Sequence, residues 1–169
     1  MQEKSTILNR NSDSDLFRSN LSRIWRKIGT HGIMVLSTSA EDRITSRPMS
    51  VIVLNEKFYF QTDESYLKYK QICKNQNIAL SVNNFSIEGK CRNIGRPLDE
   101  NNQFFAESYK KHFRGSFNAY SALPTEILLE ITPTLIYSWE YKLTKPFMEF
   151  FDFENELYHM EKNDLYKQL

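Results

Sequence analysis

The order of apolar and polar positions changes period several times along the chain. Leu16, Phe17, Leu21, Ile24, Trp25 and Ile28 recur at helical spacing and stop at Gly29, a residue suited to closing a helix. They predict an amphipathic first helix behind a polar, flexible segment over residues 1–13. Residues 33–36 form a short apolar run, the polar stretch 40–43 is a turn, and residues 44–54 followed by 57–62 across Asn55-Glu56 continue as strands. This is an antiparallel meander. Ser65 is placed to cap a helix running to about Asn75, ahead of strands near 78–82 and 86–96. Pro97 stops the second of these. Asp99 opens a further helix to about Phe113, with Phe105, Tyr109 and His112 near one face, and a Gly/Ser/Asn-containing loop leads to Pro124. The last strand spans 126–139 and is interrupted at Thr132-Pro133, because proline has no N–H for a ladder.

Five to seven strands, neighbours in sequence and joined by short turns, predict a mainly β fold: an antiparallel barrel decorated by helices. The stretch 140–169 carries Phe147, Phe150, Phe151, Phe153, Leu157 and Tyr158, too apolar for a free tail. It is expected to pack on the barrel or on a partner. A length of 169 residues fits one domain over 1–169 with a single sizeable core. With 22 Lys+Arg against 21 Asp+Glu the formal charge is +1, which supplies no broad field for nucleic acid or acidic membrane. No nucleic-acid or membrane partner is expected. No apolar run approaches the roughly 18 residues of a membrane helix, and the opening lacks the apolar core of a secretion signal, so a cytoplasmic address is expected. Cys73 and Cys91 are read as reduced, packed thiols, and no metal site is expected.

Candidate chemistry starts at Arg47. Strict alternation sets Arg47 and Met49 on the strand face that also carries Val51 and Val53, provided Pro48 introduces no bulge. A guanidinium on a half-buried face needs an internal carboxylate or a bound anion as partner, unless the side chain snorkels to solvent. Lys68 falls in the first turn of the helix after Ser65, where free N–H groups and the helix dipole favour negative charge. Asp63 and Glu64 can satisfy that end without a ligand; a phosphate is the other answer. Arg47, Gln61, Thr62, Ser65 and Lys68 could converge on one anion. His31, His112 and His159 have no metal-ligand spacing with one another or with a cysteine, and no nucleophilic constellation is assigned.

The succession Gly32-Ile33-Met34-Val35-Leu36-Ser37-Thr38, Ser46-Arg47-Pro48-Met49-Ser50, Phe58-Tyr59-Phe60-Gln61-Thr62, Ser65-Tyr66-Leu67-Lys68-Tyr69-Lys70-Gln71-Ile72, Asn77-Ile78-Ala79-Leu80-Ser81-Val82 and Ile87-Glu88-Gly89-Lys90-Cys91-Arg92 resembles the pyridoxamine 5'-phosphate oxidase-related flavin-binding split barrels, especially the general-stress-protein type. The similarity spans about residues 32–139. It implies a six-stranded antiparallel split β-barrel, a homodimer with FMN at the subunit interface, and flavin-mediated electron transfer to or from a small molecule. By the same resemblance, Arg47, Pro48, Met49 and Ser50 would line the flavin, and Gln61 and Thr62 would touch its ring or ribityl chain. Ser65 and Lys68 would hold the phosphate, and Trp139 would reach the partner's flavin. No catalytic side chain is implied. True pyridoxamine phosphate oxidases end in an arginine- and histidine-bearing segment; this chain has no arginine after Arg114, so vitamin B6 oxidation is not expected. The alternatives are a flavin, deazaflavin or haem sensing module without turnover, and a ligand-free dimeric scaffold.

Overall fold

A computed structural model describes residues 2–143 and 145–162, with side chains described from Ser14 onward. Helix α1 (Gln2–Ile28) begins well before the predicted Leu16 start, at Gln2. Three strands follow, β1 (His31–Ala40), β2 (Arg43–Leu54) and β3 (Lys57–Asp63), then helix α2 (Leu67–Lys74) and strands β4 (Asn77–Val82) and β5 (Phe85–Asn93). A 3-10 turn (Glu100–Asn102) leads into α3 (Gln103–His112) and α4 (Arg114–Tyr120). Strand β6 (Glu126–Lys142) and the hairpin β7 (Lys145–Asp152) and β8 (Leu157–Lys162) complete the described residues. The segment after Phe113 is the helix α4, not the expected loop. Strand β6 continues past Thr132-Pro133, but its pairing with β3 ends at Ile131 and its register with β5 slips at Thr134, as proline's fit to an edge or bulge predicts.

All pairings are antiparallel, in the order β3-β2-β1-β4-β5-β6-β7-β8, and β3 also pairs with β6. That last pairing closes a six-stranded barrel, and β7–β8 continue the sheet beyond it. Long β6 makes both possible: residues 126–131 pair with β3, and residues 135–142 turn the same edge to β7. The changeover coincides with a register shift opposite Glu88/Gly89. A Cβ at Gly89 would stand 2.6 Å from the Thr132 carbonyl oxygen, so only glycine admits this approach.

Alternation sorts the strand side chains. Met34, Leu36, Val51, Val53, Phe58, Phe60, Leu80, Ile87, Leu129 and Ile131 fill the interior. Helix α1 adds Phe17, Ile24 and Ile28 to that core, with Phe17 edge-on to Phe153 at 5.5 Å and Trp25 5.3 Å from Phe58. The apolar C-terminal segment thus packs on this chain's own barrel and first helix. A second cluster lies outside the barrel, where Phe105 and Tyr109 of α3 cover Ile52, Tyr59 and Leu128. Cys91 is buried, whereas Cys73 is exposed on α2, which corrects its reading as a packed thiol.

Candidate functional site

Strands β2 and β3 pair only through Ile52–Leu54 and Lys57–Tyr59. Beyond Ile52 the two strands part, β2 staying with β1 and β3 with β6. The split leaves a cleft of about 360 Å³, within the roughly 300–1,000 Å³ usual for small-molecule sites. Pro48, Met49 and Ser50 line it from β2, Gln61, Thr62 and Asp63 from β3, and Tyr66 and Lys68 from the start of α2. Tyr109, Ser116, Tyr120, Leu123 and Glu126 form the remaining wall. Other hollows, of about 430 Å³ beside the β2–β3 turn and about 620 Å³ beside the β1–β2 turn, contain none of the candidate residues.

The β1–β2 register runs without interruption through Val35↔Pro48 and Leu36↔Arg47, so Pro48 introduces no bulge and Arg47 does face inward. It does not line the cleft. Its Nη1 donates to Thr38 Oγ1 at 2.7 Å and to the Leu36 carbonyl at 3.2 Å, and its Nη2 donates to Thr45 Oγ1. Thr38 and Thr45 in turn donate to Gln71 Oε1, at 2.7 and 2.6 Å. No carboxylate makes an ion pair with Arg47 among the described residues. Burial holds its pKa below the ordinary value.

Lys68 is half-buried, with Nζ 4.4 Å from the centre of the Tyr66 ring. Its pKa is lowered by burial first and by the nearby Arg47 charge second, against an opposing pull from Glu126 and Asp63. Two cations therefore adjoin, and neither has a carboxylate within ion-pair distance. Asp63 is occupied elsewhere: it accepts from the Ser65 N–H at 2.7 Å and from Thr125 Oγ1, and these donors hold its pKa below the ordinary range. That turn also corrects the role of Ser65. With Asp63 capturing its amide, the helix starts at Leu67 with Tyr66 in the cap position, and no side chain caps it. Ser65 is exposed and outside the cleft wall.

Gln61 and Thr62 are both buried, yet Gln61 Nε2 and Thr62 Oγ1 have no hydrogen-bond partner. The Gln61 carbonyl end is satisfied, since Ser121 Oγ donates to it at 2.7 Å. An unmatched buried donor costs about 1–3 kcal/mol. Two of them on adjacent residues of one cleft wall are suited to meet a polar ligand. Trp139 does not share this cleft; it lies on β6 far beyond Glu126, opposite Met148 of β7.

Sequence reasoning missed Glu126, which faces Asp63 in register across β3–β6. Burial first, and the Asp63 charge second, push its pKa up to about 7, with Lys68 and Gln61 pulling the other way. The signal available beforehand was an acidic residue directly ahead of the apolar run Ile127-Leu128-Leu129. The cleft walls of α3 and α4 were equally unread.

No family model matches the chain, and no curated protein matches it in sequence. Solved structures do. The General Stress Protein 26 from Bacillus anthracis is 21% identical over 65% of this chain and 84% of its own, with a TM-score of 0.51. A pyridoxamine 5'-phosphate oxidase-related, FMN-binding protein from Nostoc punctiforme is 14% identical over 78% of this chain and 87% of its own, at 0.53. HutZ, the haem storage protein from Vibrio cholerae, is 11% identical over 59% of this chain and 80% of its own, at 0.52. With β3 closing on β6 and the cleft lying where β2 and β3 part, the chain has the split-barrel fold of the pyridoxamine 5'-phosphate oxidase-related and general stress proteins.

Proposed function

We propose that the protein binds FMN in the β2–β3 cleft and serves as a flavin-dependent oxidoreductase acting on a small molecule. The observation that carries this reading is a pair of neighbouring cations, Arg47 and Lys68, without carboxylate partners, beside the unpartnered donors of Gln61 and Thr62. A phosphate monoester meets that set. Its oxygens accept from Lys68 and Thr62, and the Arg47 charge adds to the field from behind without leaving its hydrogen bonds. Met49 and Tyr66 offer apolar surface to a ring system, and Gln61 Nε2, beside the Glu126 carboxyl, can donate to a ring carbonyl. When bound, the flavin supplies hydride and single-electron chemistry; the chain's residues supply position, charge and exclusion of water.

A homodimer belongs to the same proposal. Ile33 (60% exposed) and Val35 (44%) on β1, with Ile44 (74%) on β2, make an apolar outer face. Ser50 and Pro48 of the cleft wall stand directly opposite Ile33 and Val35 in the β1–β2 register. A second copy docked on this face would therefore border the cleft, and its Trp139 is the candidate to complete the far wall. A haem would have to draw its axial ligand from Met49 or a tyrosine, because among the described residues no histidine or cysteine lines the cleft.

The test is reconstitution. The purified chain is expected to retain or take up FMN, giving flavin absorption that denaturation releases. Lys68→Ala should weaken FMN binding by about 1.5–3 kcal/mol, the size of a charge-assisted hydrogen bond. A chain that stays colourless with excess FMN, or an alanine variant with unchanged affinity, overturns the assignment. Bleaching of the bound flavin by NADH or NADPH without oxygen separates an oxidoreductase from a sensor.

A further inference from the structure

Three glutamates are buried among the described residues, and two have cationic partners. Glu130 pairs with Lys57 at 3.1 Å and Arg92 at 2.8 Å, and accepts from the Tyr59 hydroxyl at 3.2 Å. Glu149 pairs with Arg23 at 2.9 Å and accepts from the Tyr158 hydroxyl at 3.1 Å. Glu126 is 5% exposed and has no ion pair, although it lines the same cleft as Lys68. A buried carboxylate without a cationic partner is costly when ionised, the Gln61 side chain offsets only part of that cost, and the residue directly opposite is also an acid. The neutral acid is the form this site tolerates best.

We propose that Glu126 couples anion capture to proton uptake: a phosphate-bearing ligand held at Lys68 binds with Glu126 protonated. This rests on the FMN reading of the cleft. The sign follows from Coulomb's law. A second anion beside the carboxyl makes its ionised form still less favourable, so ligand binding raises the pKa of Glu126. By linkage the same coupling weakens anion binding as pH rises through the value for the empty cleft, about 7. The other charged or titratable groups facing Glu126 are Asp63 on β3, Lys68 on α2 and Tyr109 on α3. Asp63 stays ionised, because its pKa is lowered by Ser65 and Thr125. Tyr109 stays neutral, its pKa raised chiefly by burial. Lys68, whose pKa is lowered by burial, is the one competitor for the linked proton.

Calorimetric titration of FMN into the full chain at pH 8, in two buffers of unlike ionisation heat, reads the proton directly. The phosphate of FMN, with a second pKa near ~6, is already a dianion there. The wild type is expected to take up a measurable fraction of a proton per FMN, with one proton as the upper limit, and its Kd to rise with pH by at most about tenfold per unit. Glu126→Gln should bind FMN with no uptake and a flat Kd from pH 7.5 to 8.5. Riboflavin, which lacks the phosphate, should bind the wild type with little uptake. Equal apparent heats in the two buffers for the wild type overturn the inference, with no variant needed. A slope that persists in Glu126→Gln also overturns it and assigns the proton to Lys68; equal uptake with riboflavin overturns it as well. Failure to bind FMN at any pH instead sinks the flavin reading and the coupling together.

Discussion

The cleft residues separate into those whose contacts are complete and those whose contacts are not. Arg47 has three acceptors inside the sheet, whereas Thr62 Oγ1 is buried with none. The difference gives Thr62→Val a distinctive expected signature. Replacing the hydroxyl by a methyl group removes an unmet polar group, so the ligand-free protein should gain up to about 1 kcal/mol. The same change should weaken FMN binding. Thermal unfolding without ligand, read beside an FMN titration, checks both halves; a loss of both stability and affinity would mean that the hydroxyl is structural. The sequence showed which of these residues are polar. It did not show that Asp63 is occupied by Ser65 and Thr125, leaving Lys68 unpaired, because those contacts depend on a turn and on a loop some sixty positions away.

At the scale of elements, β6 matters most. One strand closes the barrel against β3, then leaves it to pair with β7, and the changeover needs the close approach of Gly89 to Thr132. Gly89→Ala is expected to destabilise the protein by about 1–3 kcal/mol, as overpacking does, since the obstructing atom is a backbone carbonyl that cannot swing aside. Urea unfolding with an unchanged slope would report that loss; an unaltered midpoint would refute the packing account. The meander β1–β2–β3 was legible from alternation and its turns, and α1 from the spacing of Phe17, Ile24 and Ile28. Helix α4 was not. In Arg114–Tyr120 it includes a glycine and an asparagine and buries no residue, so it leaves no apolar stripe in the sequence.

For the whole molecule, the exposed β1–β2 face makes a concrete demand. A charge placed at its centre, Ile33→Glu, should convert a dimer to monomers in light scattering, and should weaken FMN binding if a second copy walls the cleft. A wild-type chain that is monomeric at high concentration overturns the dimer proposal outright. The sequence by itself determined the class of fold and the polar residues of β2 and β3 that surround the cleft, because alternation and turn residues are local and act within a few positions. Only the tertiary structure decided that β2 and β3 part to open a cleft and that α3 and α4 wall it. It also set Glu126, 63 positions from Asp63, opposite a second acid. Those are consequences of barrel closure, in which residues distant along the chain share one low-dielectric space and reset each other's charge.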